Sequence, residues 1–354
     1  MNWARGYLTA LVRGAKMGLP RLQPIHDETL SVTQNQQYPA QRETNECYGE
    51  RGEIMYAVTG ATGNSGHIVA ERLLKAGKKV RAIGRSAERL QNLTALGAEP
   101  FICTLEDRAA LAKAFAGAEG VYAMVPPDMA AEDYRAHQDH ITDALAAALR
   151  ESKVKHVVAL SSFGADKAEK TGPVLGLHLF EEKLNAIPGL HSLHLRAAYF
   201  MENTLPQIGI IKDLGVAAGP LRGELELPMI ATKDIGAAAA ERLLRLDFSG
   251  SRTQELLGQR NISMAEAAGV IGRAIGRPHL GYSRLPNDQV RAAFLQMGMS
   301  PSITDLMLEM CDALNTGHMV ALEKRSPENS TPTWYETFVK SEIVPRFMGK
   351  PVAA

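Results

Sequence analysis

Seven residues, Gly60-Ala61-Thr62-Gly63-Asn64-Ser65-Gly66, stand directly between an apolar strand-like run, Ile54-Met55-Tyr56-Ala57-Val58, and an amphipathic stretch of helical period. The glycines answer three needs. Gly60 permits a tight turn, Gly63 lets the backbone approach an anion, and Gly66 lets the helix pack closely on the strand. The first N–H groups of the helix then face the anion, aided by the helix dipole. A glycine pattern alone is weak. One that heads a strand–loop–helix–strand unit is a dinucleotide-binding signature. The alternative is a structural turn in another kind of α/β protein, or a site for another nucleotide-type ligand.

The chain beyond the loop keeps to this reading. Strand-like runs recur at 55–59, 79–83, 99–103, 120–125, 154–161 and 191–196, with helical stretches at 68–75, 87–96, 107–115 and around 132–150 between them. Ser86 is placed to cap the second helix, and glycines close the first three at Gly77, Gly97 and Gly117. Such alternation specifies an α/β fold with a Rossmann-type doubly wound parallel sheet. The second half reads as helices at 235–244, 263–275, 288–297, 302–314 and 334–340, with Ser263 and Glu266 spaced as a capping box. A small, mainly helical C-terminal substrate lobe is expected there. Residues 55–204 would form the NAD(P)-binding core and 205–354 the lobe, with part of 225–245 returning to the core. Trp334 and Tyr335 are expected to pack against the body, with a lid over substrate as the alternative.

The first 54 residues differ. The run 31–53 is polar, rich in Gln, Glu, Asn and Arg, and without apolar period, which reads as disorder. Met55 is expected to be the true start, with 1–54 a translated leader. A disordered tail or weak targeting peptide is the alternative.

Composition removes several function classes. Lys plus Arg and Asp plus Glu each number 39, so no bulk charge favours nucleic acid or an anionic membrane. The three cysteines, Cys47, Cys103 and Cys311, match no disulfide framework or zinc spacing. No metal is expected; His137 and His140 share a helix face, read as solvated. Nothing approaches the roughly 20 apolar residues of a membrane span. The expected location is cytoplasmic.

At the end of the second strand the chain reads Ala82-Ile83-Gly84-Arg85-Ser86. An NAD site usually has an acid there for the ribose hydroxyls. Arg85 instead offers a guanidinium fork for a 2′-phosphate, with Arg89 a turn further. The cofactor read is NADP (NADPH) over NAD. A surface arginine stacking on adenine is the alternative.

Val58 through Gly66, Gly84-Arg85, Leu160-Ser161-Ser162, His178 through Lys183, Leu195-Arg196, Phe200 through Asn203 and Ala231 through Asp234 occur in order. Together they make the chain resemble the NmrA-like, atypical branch of the short-chain dehydrogenase/reductase superfamily, and within it the NAD(P)H:quinone oxidoreductase and azoreductase-type members. The resemblance implies that Gly60, Thr62, Gly63, Asn64, Ser65, Gly66, His67 and Arg85 serve the cofactor phosphates. It implies that Thr104 and Leu105 flank adenine, that Met124, Val125 and Pro126 lie along the ribose, and that Ser161 and Ser162 sit beside the nicotinamide. Tyr199 through Asn203 would close over it.

Ordinary members of the superfamily use Tyr-x-x-x-Lys to move a proton, and no tyrosine of this chain has lysine four residues later. His178-x-x-x-Glu182 stands in that region, both on one helix face. His178 would donate a proton to a reduced quinone oxygen and Glu182 would orient it; structural or cofactor-holding roles are the alternatives. Ser162 would hydrogen-bond cofactor or substrate, or serve only as loop chemistry. The expected function is an NADPH-dependent reductase passing hydride to a quinone or similar small-molecule acceptor. Its rival is a non-catalytic NAD(P)-sensing regulator of the NmrA type. An apolar, well-lined pocket above Ser162 would favour the enzyme; a filled one beside a large exposed apolar patch would favour the sensor. A homodimer stays open as an oligomeric state; neither nucleic acid nor membrane is expected as a partner.

Overall fold

The computed structural model describes residues 55–351. The expectations for 1–54, Met55 as the start among them, lie outside the described residues. The chain opens with β1 (Met55–Val58), α1 (Asn64–Lys75), β2 (Lys79–Gly84), α2 (Ala87–Ala95), β3 (Glu99–Ile102), α3 (Arg108–Phe115) and β4 (Gly120–Ala123). It continues through α4 (Tyr134–Ser152), β5 (His156–Ser162), α5 (Val174–Asn185) and β6 (His191–Ala197). Then follow β7 (Tyr199–Phe200), α6 (Gln207–Leu214), β8 (Ala217–Gly219), β9 (Glu226–Ile230), α7 (Thr232–Arg245), β10 (Ser251–Leu256) and β11 (Asn261–Ser263). The last elements are α8 (Met264–Ala274), β12 (Tyr282–Arg284), α9 (Asn287–Gln296), α10 (Pro301–Thr316), α11 (Tyr335–Phe338) and α12 (Val344–Phe347).

Seven strands form one sheet in the order β3-β2-β1-β4-β5-β6-β10, every pair parallel. Val58 of β1 lies opposite Ala82 of β2 on one side and Tyr122 of β4 on the other. The chain runs outward from β1 to β3, then returns past β1 to build the other half. The crevice beyond the C-terminal ends of β1 and β4 is therefore the topological switch point, where ligands bind in open sheets of this kind.

The strands are apolar because both faces are covered. On one face, Leu111, Phe115, Leu145, Leu149 and Phe180 from α3, α4 and α5 pack on Val121 and Val157. On the other, Val69, Leu73, Leu90, Ile235 and Leu243 from α1, α2 and α7 pack on Val58, Val158 and Leu193. Side-chain caps start the helices: Ser86 Oγ accepts from Arg89 N at 3.5 Å, Asp107 from Ala110 N at 3.0 Å and Asp133 from Ala136 N at 3.0 Å. Ser263 accepts from Glu266 N at 3.1 Å, but the Glu266 carboxylate turns to Arg260 at 2.7 Å, so the return bond of a capping box is replaced by an ion pair.

The seventh strand, β10, departs from the six read in the sequence. Ser251-Arg252-Thr253 are exposed, and only Glu255 and Leu256 are buried. An edge strand solvated over half its length carries no apolar pattern to announce it. Within 205–354, α7 returns to the core: Ile235, Ala239 and Leu243 share the apolar cluster of Val58 and Val69. A Cβ on Gly236 would lie 2.6 Å from Ser65 O, so α7 crosses α1 at backbone contact. Leu221, Ile271, Leu314 and Phe338 belong to a further apolar cluster that also takes in Phe163, Val174 and Met201, and two small sheets, β11-β9-β7 and β12-β8, accompany the main one. Tyr335 is buried, but Trp334 is 47% exposed, against the expectation that both pack on the body. The residues flank the start of α11, where neighbours necessarily point apart.

Candidate active site

Between β1 and α1 the loop has the geometry its glycines require. Gly60 has φ +61°, and a Cβ there would sit 2.7 Å from Met124 Sδ. A Cβ on Gly66 would lie 2.3 Å from the Gly60 carbonyl oxygen. Gly63 N donates to Gly60 O at 2.8 Å, closing the turn. No side chain caps the start of α1, which leaves its first-turn N–H groups available to a ligand. Thr59 Oγ1 donates to Tyr122 O and accepts from Met124 N, both at 3.1 Å, locking the ends of β1 and β4 together. Tyr122 OH donates to Ser65 Oγ at 2.9 Å, so the Ser65 hydroxyl is drawn into the core. Burial pushes the Tyr122 phenol well above its usual range.

Beyond this turn lies a cleft of about 390 Å³. Gly60, Thr62, Gly63, Arg85, Thr104, Leu105, Met124 and Pro126, all expected at the cofactor, line it together with Arg89. Arg85 and Arg89 are both exposed at this cleft. Cys103 also lines it; burial and then the Asp107 charge push its thiol up to about 11, which keeps it protonated. Sequence reasoning missed Glu106, Asp128 and Ile141 in this lining. It also misplaced His137: the ring is 20% exposed, lines the cleft, and sets Nδ1 3.5 Å from Glu106 Oε1. The inward side of α4 is fixed by its packing between α3 and α5, which helical spacing alone does not report.

Ser161, Ser162, His178 and Glu182 gather at the end of β5 but line neither this cleft nor the cavity described next. The buried Ser161 hydroxyl donates to Glu181 Oε1 at 2.5 Å, and Arg196 grips the same carboxylate with Nε at 3.0 Å and a terminal nitrogen at 2.6 Å. Ser162 Oγ donates to Phe163 O at 3.0 Å. His178 Nδ1 donates to Ala165 O at 2.9 Å, since a carbonyl only accepts. Its Nε2 faces Glu182 Oε1 at 3.4 Å, and Glu182 is 62% exposed. Asn64 is exposed at the start of α1, while His67 and Val125 are half-buried; these three line neither recess.

An apolar cavity of about 290 Å³ lies across the loop 124–133 from the cleft. Pro126, Pro127 and Asp128 face the cleft and Met129 faces the cavity, so the two recesses share one wall. Tyr199 and Asn203, just past β6, line the cavity with Glu202, Gln207 and Tyr335. Glu202 accepts from Thr232 N at 3.0 Å and Thr232 Oγ1 at 2.6 Å, holding the first turn of α7. Burial pushes its carboxyl above the usual range, against the hydrogen bonds from Thr232. Among the described residues no group of three or more His, Cys, Asp or Glu is placed to hold a metal, and no helix is long and apolar enough to cross a membrane.

A parallel sheet that reverses its strand order beside an uncapped helix start is the construction of the Rossmann class, which holds dinucleotides across that point. More narrowly, the chain belongs to the NmrA-like family, whose model matches residues 54–339. It is similar to the (4-alkanoyl-5-oxo-2,5-dihydrofuran-3-yl)methyl phosphate reductase of Streptomyces griseus, 29% identical over 263 residues, 74% of this chain and 88% of that protein. It is similar to quinone oxidoreductase 2 of Escherichia coli, 28% identical over 260 residues, 72% of this chain and 86% of that protein. The solved NADPH-dependent quinone oxidoreductase of Escherichia coli, complexed with NADPH, superposes with a TM-score of 0.64 at 22% identity, covering 85% of this chain and 96% of that one.

Proposed function

We propose that the protein is an NADPH-dependent reductase that passes hydride to a quinone or a similarly electron-poor small molecule. The observation that carries this reading is the apolar cavity sharing a wall with the nucleotide cleft. A regulator that only senses NAD(P) has no use for such a space, whereas an acceptor must lie beside the nicotinamide. The names of the Streptomyces and Escherichia relatives, both reductive, support the same class.

The residues fit the dinucleotide. The uncapped start of α1 offers the backbone N–H groups of Asn64, Ser65 and Gly66 to a pyrophosphate, while those of Gly63 and His67 close the turn on Gly60 O and Gly63 O. In this reading Arg85 and Arg89 would take a 2′-phosphate, Thr104 and Leu105 would flank adenine, and Met124 and Pro126 would lie along the ribose, with Val125 outside the cleft lining between them. The nucleotide, when bound, supplies a hydride from C4 of its nicotinamide. Residues 55–204 hold it, and 205–354 supply most of the acceptor cavity, with part of 225–245 built into the core. Tyr199 and Asn203 border the acceptor. Hydride addition leaves a quinone oxygen with a delocalised negative charge, so water suffices as proton source and Tyr-x-x-x-Lys is dispensable. His178 acts as a positioning residue, holding the Ala165 carbonyl and with it the segment after Ser162, while Glu182 supports its ring. Ser161 positions the end of β5 through Glu181.

The test is NADPH oxidation by the full chain with naphthoquinone as acceptor and NADH in parallel. Turnover well above the uncatalysed rate, favouring NADPH, is expected. Tight NADPH binding without turnover on any acceptor would leave a nucleotide sensor in its place, and failure to bind either nucleotide would overturn the dinucleotide reading itself.

A further inference from the structure

Six methionines line the acceptor cavity: Met129, Met264, Met297, Met299, Met307 and Met310. They come from the loop after β4, from α8, from the turn after α9 and from α10. Thioethers are flexible and polarisable, and they contact aromatic rings favourably. Such a lining suits flat rings of more than one outline better than a single rigid shape.

The charges in this lining are one-sided. Among the described residues no Lys, Arg or His lines the cavity, and Glu202 is the one carboxylate. The fold has a second source of positive potential nearby, the start of α7, fourteen residues long. That end is already engaged from within: Glu202 accepts from both the backbone N–H and the hydroxyl of Thr232. An anionic substituent entering the cavity would lose its water, meet no cation, and lie beside a carboxylate. The Streptomyces griseus relative is named for a phosphate ester, and the present lining has no cation for such a group.

We infer that the cavity takes planar aromatic acceptors that carry no negative charge and rejects their anionic counterparts, with Glu202 and the absence of any lining cation setting that selection. The inference rests on the reductase reading and names the substrate class of the same site.

The experiment compares naphthoquinone with its ring sulfonate, by kcat/KM with NADPH and by calorimetric binding to protein saturated with tetrahydro-NADPH, whose nicotinamide ring is uncharged and gives up no hydride. The sulfonate is the more electron-poor ring, so chemistry alone favours it. We expect its kcat/KM to be at least about tenfold lower, with weaker binding to match. Equal values for the two acceptors overturn the inference while leaving the reductase intact. If neither is reduced, the reductase reading fails, and the ratio of the two dissociation constants still decides the charge preference. Met307→Lys places a cation in the lining and should narrow the sulfonate gap; Met297→Lys, on a different segment, does the same should the first fail to fold. A lysine variant that binds naphthoquinone normally yet leaves the gap unchanged overturns the inference too.

Discussion

Arg85 and His178 are the two side chains whose chemistry the proposed reaction tests most sharply. Arg85 is exposed, so its packing contributes little and its effect is expected in binding. Replacing it with alanine removes a charge-assisted contact to a 2′-phosphate. The KM for NADPH should rise by roughly tenfold or more, with the KM for NADH almost unmoved. An equal rise for both nucleotides would mean that Arg85 touches only what they share. For His178 the distinction lies between an atom that moves a proton and one that holds a carbonyl. Asparagine reproduces the Nδ1 donor to Ala165 but carries no titratable proton. His178→Asn should keep kcat within about threefold, while His178→Ala should lose about tenfold through misplacement of the segment after β5. If both variants lose the same activity, and with it a limb of the pH profile, His178 is an acid and not a positioning residue.

One scale up, the strand–loop–helix unit β1-α1 is held by close backbone approach. A Cβ at Gly66 would stand 2.3 Å from Gly60 O and 2.9 Å from Thr59 O, and neither backbone atom has a rotamer by which to yield. Gly66→Ala should therefore cost about 1–3 kcal/mol in denaturant unfolding. It should also weaken NADPH binding by tilting the start of α1. A stable Gly66→Ala protein with unchanged NADPH affinity would show that α1 is not the phosphate-binding element. α7 supports this unit from the other side, through Gly236 against Ser65 and through its start on Glu202. It thus joins the nucleotide half to the wall of the acceptor cavity.

For the whole molecule, a buried histidine and a half-buried one tie stability to pH. His194 is 1% exposed; its Nε2 donates to Asn185 Oδ1 at 2.7 Å and its Nδ1 is buried without a partner. Burial holds its pKa below the ordinary 6.5, and burial followed by the His191 charge does the same to His156. The unfolded chain takes up these protons at a higher pH than the folded one, so their contribution is present above 6.5 and is lost as pH falls through the depressed folded values. Glu202 and Glu255 are pushed upward by burial and act with the opposite sign, losing their contribution as pH rises through their folded values. The histidine effect is therefore read as a difference. The Tm of His194→Gln relative to the unmodified protein should climb as pH is lowered below 6.5, and a flat difference would mean that His194 is charged in the fold.

The sequence by itself determined the alternating α/β order, the glycine turn that opens α1, and the presence of arginines rather than an acid after β2. Each is written in local periodicity or in a few neighbouring residues whose backbone needs are strong. Only the tertiary structure decided the rest. β10 joins the sheet by pairing with β6, without an apolar pattern of its own. His137 faces the cleft because α4 is docked, and Ser161 turns to Glu181 and Arg196 because three separate elements meet there. The acceptor cavity gathers methionines from residue 129 to residue 310. Contacts between residues so far apart leave no trace in spacing, because the chain length between them is free to vary while the packing is not.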